Sequence, residues 1–483
     1  MAIRRSLGFS GMTQAITFLL NFGSVMVVSR LLTPEEIGIF SVAVSLLGFA
    51  HILRDFGVGN YLIQAREITR EKLRAAFSVM LYSSWSIAAL LYLVRTPIAD
   101  FYGREGVAEV IGLIAFNFLI IPFGAPILSV LRREMQFGKI AIVSISNTAV
   151  QVAVTIACAL NGLGYISMAW GSIAGMLTNV VVLLILRPRE SMLMPTFKGL
   201  RQVLDFGYKS STTSFVAEFG SAAPDLILGR TLGFAAVAYY SRAAGLIQMA
   251  MGQMMKIVQD VFLPAFASQI RSGGNPADLY IRATSHTLAI TVPTIAFLTI
   301  MAEPLILFLF GDQWIRSAPL ASFLCIYALL QSPFALASNS LIAGGHIATI
   351  MRIQIIIQSI RVMVLMTSIW LPLETVVPLL VIPAVVTAAL CARALRSHFN
   401  LRFRVLWRGI RLCFLIALLS ALGPIALRIA DTTLGWQLPL PIMLFTAGTI
   451  FAGTWLIALH RSDHPLKAEL HTVLAAARSR IRR

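Results

Sequence analysis

Tyr165-Ile-Ser-Met-Ala-Trp-Gly-Ser-Ile-Ala-Gly-Met-Leu-Thr-Asn-Val-Val-Val-Leu-Leu-Ile-Leu186 holds no charged residue and stops at Arg187. As a helix rising 1.5 Å per residue, a run of this length crosses roughly 30 Å of hydrocarbon. Inside it, Gly171-Ser-Ile-Ala-Gly175 has the small-residue spacing that lets two helices approach closely. Similar runs lie near 10–29, 37–53, 76–94, 107–131 and 140–160 before it. Others follow near 206–229, 233–255, 283–310, 317–342, 353–371, 375–392, 409–428 and 437–459. The pattern predicts an all-α polytopic membrane protein with about fourteen transmembrane helices. With 58% hydrophobic and 12% charged residues, against roughly 25% charged in a soluble domain, the 483-residue chain takes lipid as its solvent.

The net charge of +18 would suggest a nucleic-acid partner in a soluble protein, so the placement of the charge decides its meaning. With the breaks between runs labelled alternately, 31 of the 39 basic residues fall on one set, with both termini, and six on the other. The six are Arg30, Arg95, Arg104, Arg230, Arg316 and Arg428. The positive-inside rule makes the rich side cytoplasmic and the termini with it, and the basic charge becomes a topology signal rather than a nucleic-acid one. Arg4 and Arg5 precede an apolar stretch that meets Ser29-Arg30 instead of a small-residue cleavage site, which predicts a retained first helix rather than a signal peptide. Cys158, Cys325, Cys391 and Cys413 each lie in an apolar run without CxxC spacing, so neither a metal nor a disulfide is expected.

An internal repeat is visible. Arg30-Leu-Leu32 followed by Phe40-Ser41 recurs 200 residues later as Arg230-Thr-Leu232 followed by Tyr240-Ser241. Both copies sit at the same turn, between a first and a second helix, so the halves are parallel repeats. The expected domains are a six-helix lobe over 1–202, a second over 203–400, two added helices over 401–460 and a basic amphipathic tail over 461–483. On the tail, Leu466, Leu470, Val473, Leu474, Ala477 and Ile481 share one helical face, as in helices that lie on anionic headgroups. Thr69-Arg70-Glu71 reads as a helix start.

Five segments in order carry a family resemblance: Arg30-Leu-Leu-Thr-Pro-Glu-Glu-Ile-Gly-Ile-Phe40, Asp55-Phe-Gly-Val-Gly-Asn60, Asp225-Leu-Ile-Leu-Gly-Arg-Thr-Leu-Gly233, Phe262-Leu-Pro-Ala-Phe266 and Leu309-Phe-Gly-Asp-Gln-Trp314. They resemble the polysaccharide transporter family of the multidrug/oligosaccharidyl-lipid/polysaccharide flippase superfamily, the Wzx-like exporters. The resemblance implies a pseudo-twofold, V-shaped bundle. It also implies a flippase that carries polyprenyl-pyrophosphate-linked oligosaccharide across the bacterial inner membrane for exopolysaccharide, capsule or O-antigen synthesis. Its implied partners are the lipid-linked glycan, membrane lipids, a polysaccharide polymerase and other assembly proteins.

Buried ionisable residues are the independent pointer to a transport path, since a charge at a helix centre costs about 2.5–3.5 kcal/mol on insertion scales. Glu218 and Asp225 lie seven apart, about 20° around a helix, and so share a face as candidates for a coupling proton or cation. Pro224 between them predicts a local break. Asp225 also matches the family's Asp-x-x-x-Gly-Arg pattern. A pyrophosphate needs cationic forks, which makes Arg30, Arg54, Arg242 and Arg361 the substrate candidates. Blander readings stand beside these. Arg30 and Arg54 serve equally as interfacial anchors, Glu218 and Arg242 as a neutral pair joining two helices, and Asn117 as interhelical glue.

No Walker motif is present, so no ATP, cofactor or metal is expected. Two other functions remain open within the superfamily: a lipid II flippase and a cation-coupled drug exporter. A membrane glycan polymerase or glycosyltransferase is the distant alternative. Its chemistry would need an acidic pair or a sizeable loop on the outer side, where only short turns are expected.

Overall fold

A computed structural model describes residues 2–55, 58, 69–187, 194–196, 218–435 and 438–467. These residues form helices joined by turns, in two compact units, Met1–Ala238 and Tyr239–Arg483. The expected domain boundary at 202/203 lies outside the described residues, as does the tail from 468 onward.

In the first unit α1 (Ala2–Leu31), α2 (Pro34–Asp55), α3 (Arg70–Tyr102), α4 (Glu105–Ile120), α5 (Ala125–Arg133), α6 (Phe137–Leu160) and α7 (Ile166–Leu186) precede a helical stretch over 218–231, α8. The following helix, α9 (Phe234–Arg271), runs on past the division. The second unit continues with α10 (Pro276–Ile300), α11 (Ala302–Phe310), α12 (Ser317–Gln331), α13 (Ala337–Ala343) and α14 (Ile347–Met366). It ends with α15 (Leu373–Leu379), α16 (Val381–Phe399), α17 (Phe403–Thr433) and α18 (Leu440–Arg461).

Among the described residues, twelve helical segments are long and apolar enough to cross a membrane. The count of fourteen is not reached. Of the expected seventh span only residues 218 onward are described, and the eighth, α9, is a continuous helix whose apolar run is diluted by Arg242, Gln248, Lys256, Gln259 and Asp260. Three corrections follow from local backbone chemistry. The break expected from Arg95 to Gly106 shrinks to two residues, because α3 continues through Pro97 and ends at Gly103, whose φ of 69° suits glycine. The single span expected over 107–131 is α4 and α5, separated by a 3-10 turn over Ile121–Phe123. The helix over 218–231 passes uninterrupted through Pro224, so the expected break is not formed.

The helix start read at Thr69 is present, and a second cap stands at Thr33. Thr69 caps α3 by accepting the Lys72 N–H at 3.3 Å. Thr33 and Glu36 form a capping box around Pro34: Thr33 N donates to Glu36 Oε2 at 2.7 Å and Glu36 N to Thr33 Oγ1 at 3.3 Å. Breaks assigned to one side of the bilayer also meet. Arg104 pairs with Glu35 and Tyr165 donates to Glu109 at 2.8 Å, while Arg74 at the opposite end donates to the carbonyls of Met194 and Pro195. The close packing read at Gly171 and Gly175 is present. A β-carbon at Gly171 would fall on Thr155 Oγ1, and one at Gly175 would lie 2.6 Å from Asn147 Oδ1, both on α6.

The repeat extends further than its letters. At the first joint, Leu32 N donates to Val28 O at 2.9 Å, and Leu232 N to Leu228 O at 2.8 Å. A second joint also recurs. The 3-10 turns over Ile121–Phe123 and Ser332–Phe334 each carry Pro-Phe, and each leads to a short helix, α5 or α13. Both short helices end in a left-handed residue, Met135 at φ 57° and Gly345 at φ 78°, followed by a 6→1 hydrogen bond, Gln136 N to Leu131 O or His346 N to Leu341 O.

His464, expected only as a tail residue, is 3% exposed. Its Nδ1 accepts the Leu466 N–H at 3.1 Å, so the proton of the neutral ring sits on Nε2, 2.9 Å from Ser285 Oγ of α10. Cys413 Sγ of α17 lies 3.4 Å from the same nitrogen. Burial, and then the neighbouring His286, hold the His464 pKa below its usual value. The unfolded chain therefore takes up a proton that the folded one refuses. This contribution to stability is full above about pH 6.5 and is lost as the pH falls through the lower folded value. We expect the melting temperature to drop between pH 7.5 and pH 5.5, and His464→Gln to flatten that dependence while costing about 1–3 kcal/mol at pH 7.5. Equal pH slopes for the two proteins would contradict the assignment.

Candidate functional site

Within the first unit, α2 and residues 218–234 meet along a seam of small residues. A β-carbon at Gly38 would fall on the Phe234 carbonyl, one at Gly229 would come 2.7 Å from Val42 Cγ2, and one at Gly48 would fall on Glu218 Oε1. Position numbers rise on α2 as they fall on the facing stretch, so the two run antiparallel. The α2 side of the seam is Gly38, Val42, Ser45 and Gly48, spaced by four, three and three so that they form one stripe. Small residues there let the backbones approach, as between membrane helices generally.

The two candidate acids lie on this seam, both half-buried. Ser45 Oγ donates to Asp225 Oδ2 at 2.7 Å. Glu218 rests its carboxylate over the bare backbone of Gly48, and one residue on Phe49 faces Phe219, with ring centroids 6.3 Å apart. Near the other end Tyr102 donates to the Leu226 carbonyl at 3.2 Å, with its ring 6.2 Å from that of Phe234. The sharing of a face by Glu218 and Asp225 therefore has a physical form: α2 is what they face.

Arg54 lies in the last turn of α2, six residues or about 9 Å beyond Gly48. Its guanidinium is 6.0 Å from the Phe118 ring, on which His51 also stacks at 4.8 Å. Glu218, Asp225 and Arg54 are thus gathered along one helix. Arg30 is not among them. It is exposed in the last turn of α1, where a cation also complements the helix dipole.

The remaining two arginines belong to the second unit. Arg242 is wedged beside aromatic rings, 5.2 Å from Trp314 and 5.7 Å from Phe310, and its buried Nε has no hydrogen-bond partner among the described residues. Trp314 is fully buried after Gly311, whose φ of 101° favours glycine, which gives Leu309-Phe-Gly-Asp-Gln-Trp314 a structural purpose: it builds a ring face for a cation. Arg361 donates to the Tyr327 hydroxyl at 2.6 Å. Asn117 donates to Ser172 at 2.9 Å and ties α4 to α7, the glue anticipated for it.

Ser45 and Gly48 are absent from the sequence reading, and Phe310 and Trp314 appear there only as part of a family segment, not as the rings beside Arg242. A signal was available for the first two, the small-residue stripe at helical spacing on α2.

Among similar proteins, the succinoglycan biosynthesis transport protein ExoT of Rhizobium meliloti (strain 1021) is 25% identical over 340 residues, 68% of this chain and 67% of that one. The lipopolysaccharide biosynthesis protein WzxC of Escherichia coli (strain K12) is 22% identical over 333 residues, 67% of this chain and 66% of that one. The chain spans about two thirds of the length of these curated relatives. In fold it resembles the lipid II flippase MurJ in its inward closed conformation, with a TM-score of 0.76 at 12% identity over 94% of this chain and 98% of that one. It also resembles a multidrug resistance MATE family transporter of the MOP superfamily in an inward-facing conformation, with a TM-score of 0.65 at 16% identity over 81% and 96%. The family profile described as polysaccharide biosynthesis protein matches residues 27–319, more than half of the sequence, and the chain belongs to that family.

Proposed function

We infer that the protein is a flippase for lipid-linked oligosaccharide, moving polyprenyl-pyrophosphate-linked repeat units across the bacterial inner membrane for surface polysaccharide synthesis, with both termini in the cytoplasm. It translocates rather than transforms its cargo. Family membership, relatives named for succinoglycan transport and lipopolysaccharide synthesis, and a fold shared with MurJ support this reading. A polysaccharide polymerase is the natural acceptor of the delivered unit.

The observation that carries the mechanism is the acid pair on the α2 seam. A carboxylate within a membrane bundle is kept for a partner or a path, and here Asp225 has a fixed hydroxyl donor while Glu218 lies over a glycine. Protonation of Glu218 or Asp225, or cation binding there, changes the charge carried by one helix face and so favours one packing of α2 over another. Arg30 and Arg54 in the first unit, and Arg242 and Arg361 in the second, are each separate candidates for the pyrophosphate on the chemistry of the guanidinium fork.

In cells lacking the gene, wild-type protein should restore surface polysaccharide and pulse-labelled translocation. Glu218→Gln and Asp225→Asn should each lower the translocation rate at least tenfold at equal protein level. Rates indistinguishable from wild type would remove the coupling role, and drug resistance without any polysaccharide phenotype would favour an exporter of drugs. Gly48→Ala tests the seam separately. Its added methyl must displace the Glu218 carboxylate, so translocation should fall toward the Glu218→Gln level; a fully active Gly48→Ala would show that the placement of Glu218 is immaterial.

A further inference from the structure

The turn between α16 and α17 encloses a concave space of about 580 Å³ that none of the functions above uses. It is lined by Ala392, Arg393, Arg396, Arg402, Phe403 and Arg404. Four of these six are arginines, all exposed, and among the described residues none of their side chains makes a hydrogen bond or ion pair. Such a cluster repels itself unless an anion sits among the forks. The turn that carries it is fixed. Asn400 adopts φ 55°, Leu401 is 3% exposed, and Leu401 N bonds back to Leu395 O at 3.3 Å, with Leu395 and Leu406 buried in the same core. The N-terminus of the 31-residue helix α17 begins at Phe403 and adds its partial positive charge.

The surroundings tell what kind of anion fits. Phe403, Val405 and Trp407 are exposed large apolar side chains, and the two rings stack with centroids 6.5 Å apart. They stand at the start of the membrane-crossing segment Phe403–Thr433, where aromatic residues mark the level of lipid headgroups. The pocket wall holds no hydroxyl, amide or carboxylate side chain, so every polar side chain on it is a cationic donor suited to an anion's oxygens. Phosphate geometry and apolar chains match these surroundings.

We propose that this pocket binds the phosphate of an anionic phospholipid, held by the guanidinium forks of Arg393, Arg396, Arg402 and Arg404, with its acyl chains against Phe403 and Trp407. Arginine suits the role because its planar fork offers paired donors to phosphate oxygens. Basic pockets at helix ends on the positively charged side of membrane proteins hold such headgroups through the same chemistry.

The test uses the delipidated full-length protein in detergent, titrated with phosphatidylglycerol and followed by native mass spectrometry. Arg393→Gln/Arg396→Gln and Arg402→Gln/Arg404→Gln should each weaken retention at least fivefold. Arg408→Gln/Arg411→Gln, which removes the same charge outside the pocket, should change it less than twofold. Should the glutamine variants melt early, Arg393→Lys/Arg396→Lys keeps the charge, loses the forks and should still weaken retention threefold or more. Equal losses from pocket and control variants, or equal retention of phosphatidylethanolamine, would overturn the proposal. So would displacement of the lipid by millimolar inorganic phosphate, which would make this a free-phosphate site, or retention of a polyprenyl diphosphate with none of phosphatidylglycerol.

Discussion

The backbone approach of α2 to residues 218–234 is the constraint on which the first unit's chemistry rests. Gly38, Gly48 and Gly229 add no side chain of their own to the seam, and the close approach they allow brings a serine hydroxyl within hydrogen-bonding distance of a carboxylate that hydrocarbon would otherwise penalise. A glycine in a helix costs roughly 0.5–1 kcal/mol relative to alanine. Here that cost is offset by packing and by a partner for Asp225. The seam also explains why residues 218–238 cluster with the first unit.

Elsewhere the same need for internal satisfaction takes other forms. His464 presents a neutral ring to Ser285 and Cys413 and so fastens the stretch after α18 onto α10 and α17. Arg242 lies against rings rather than in open lipid. The duplicated joints, each a Pro-Phe turn, a short helix and a left-handed residue, divide long apolar runs into two helices while closing their terminal carbonyls. Each unit is thus built from the same local solutions, with different side chains placed on them.

Much of this fold was legible in the sequence, because a helix that must be apolar for about twenty residues leaves an unmistakable trace, and helix starts at Thr33 and Thr69 follow from capping chemistry alone. The joints were hidden since Ile121–Phe123 and Ser332–Phe334 are three-residue turns with no charge, set inside long apolar runs. The eighth run is diluted by polar residues such as Arg242 and Gln248, so its helix, α9, is not among the twelve that qualify by length and composition. Of the site, the acids were legible from their rarity and spacing. Their partners were not: Ser45 stands 180 residues from Asp225, and Ser285 stands 179 from His464, separations that periodicity cannot bridge.

The central claim is that this chain by itself carries a glycan-bearing polyprenyl pyrophosphate between leaflets. The direct measurement is reconstitution of the purified protein in liposomes holding a polyprenyl-pyrophosphate-linked oligosaccharide in one leaflet, with lectin access to the glycan followed from the other. The account predicts access that rises with wild-type protein at least tenfold faster than with Asp225→Asn or in protein-free vesicles. Equal rates in all three would contradict it.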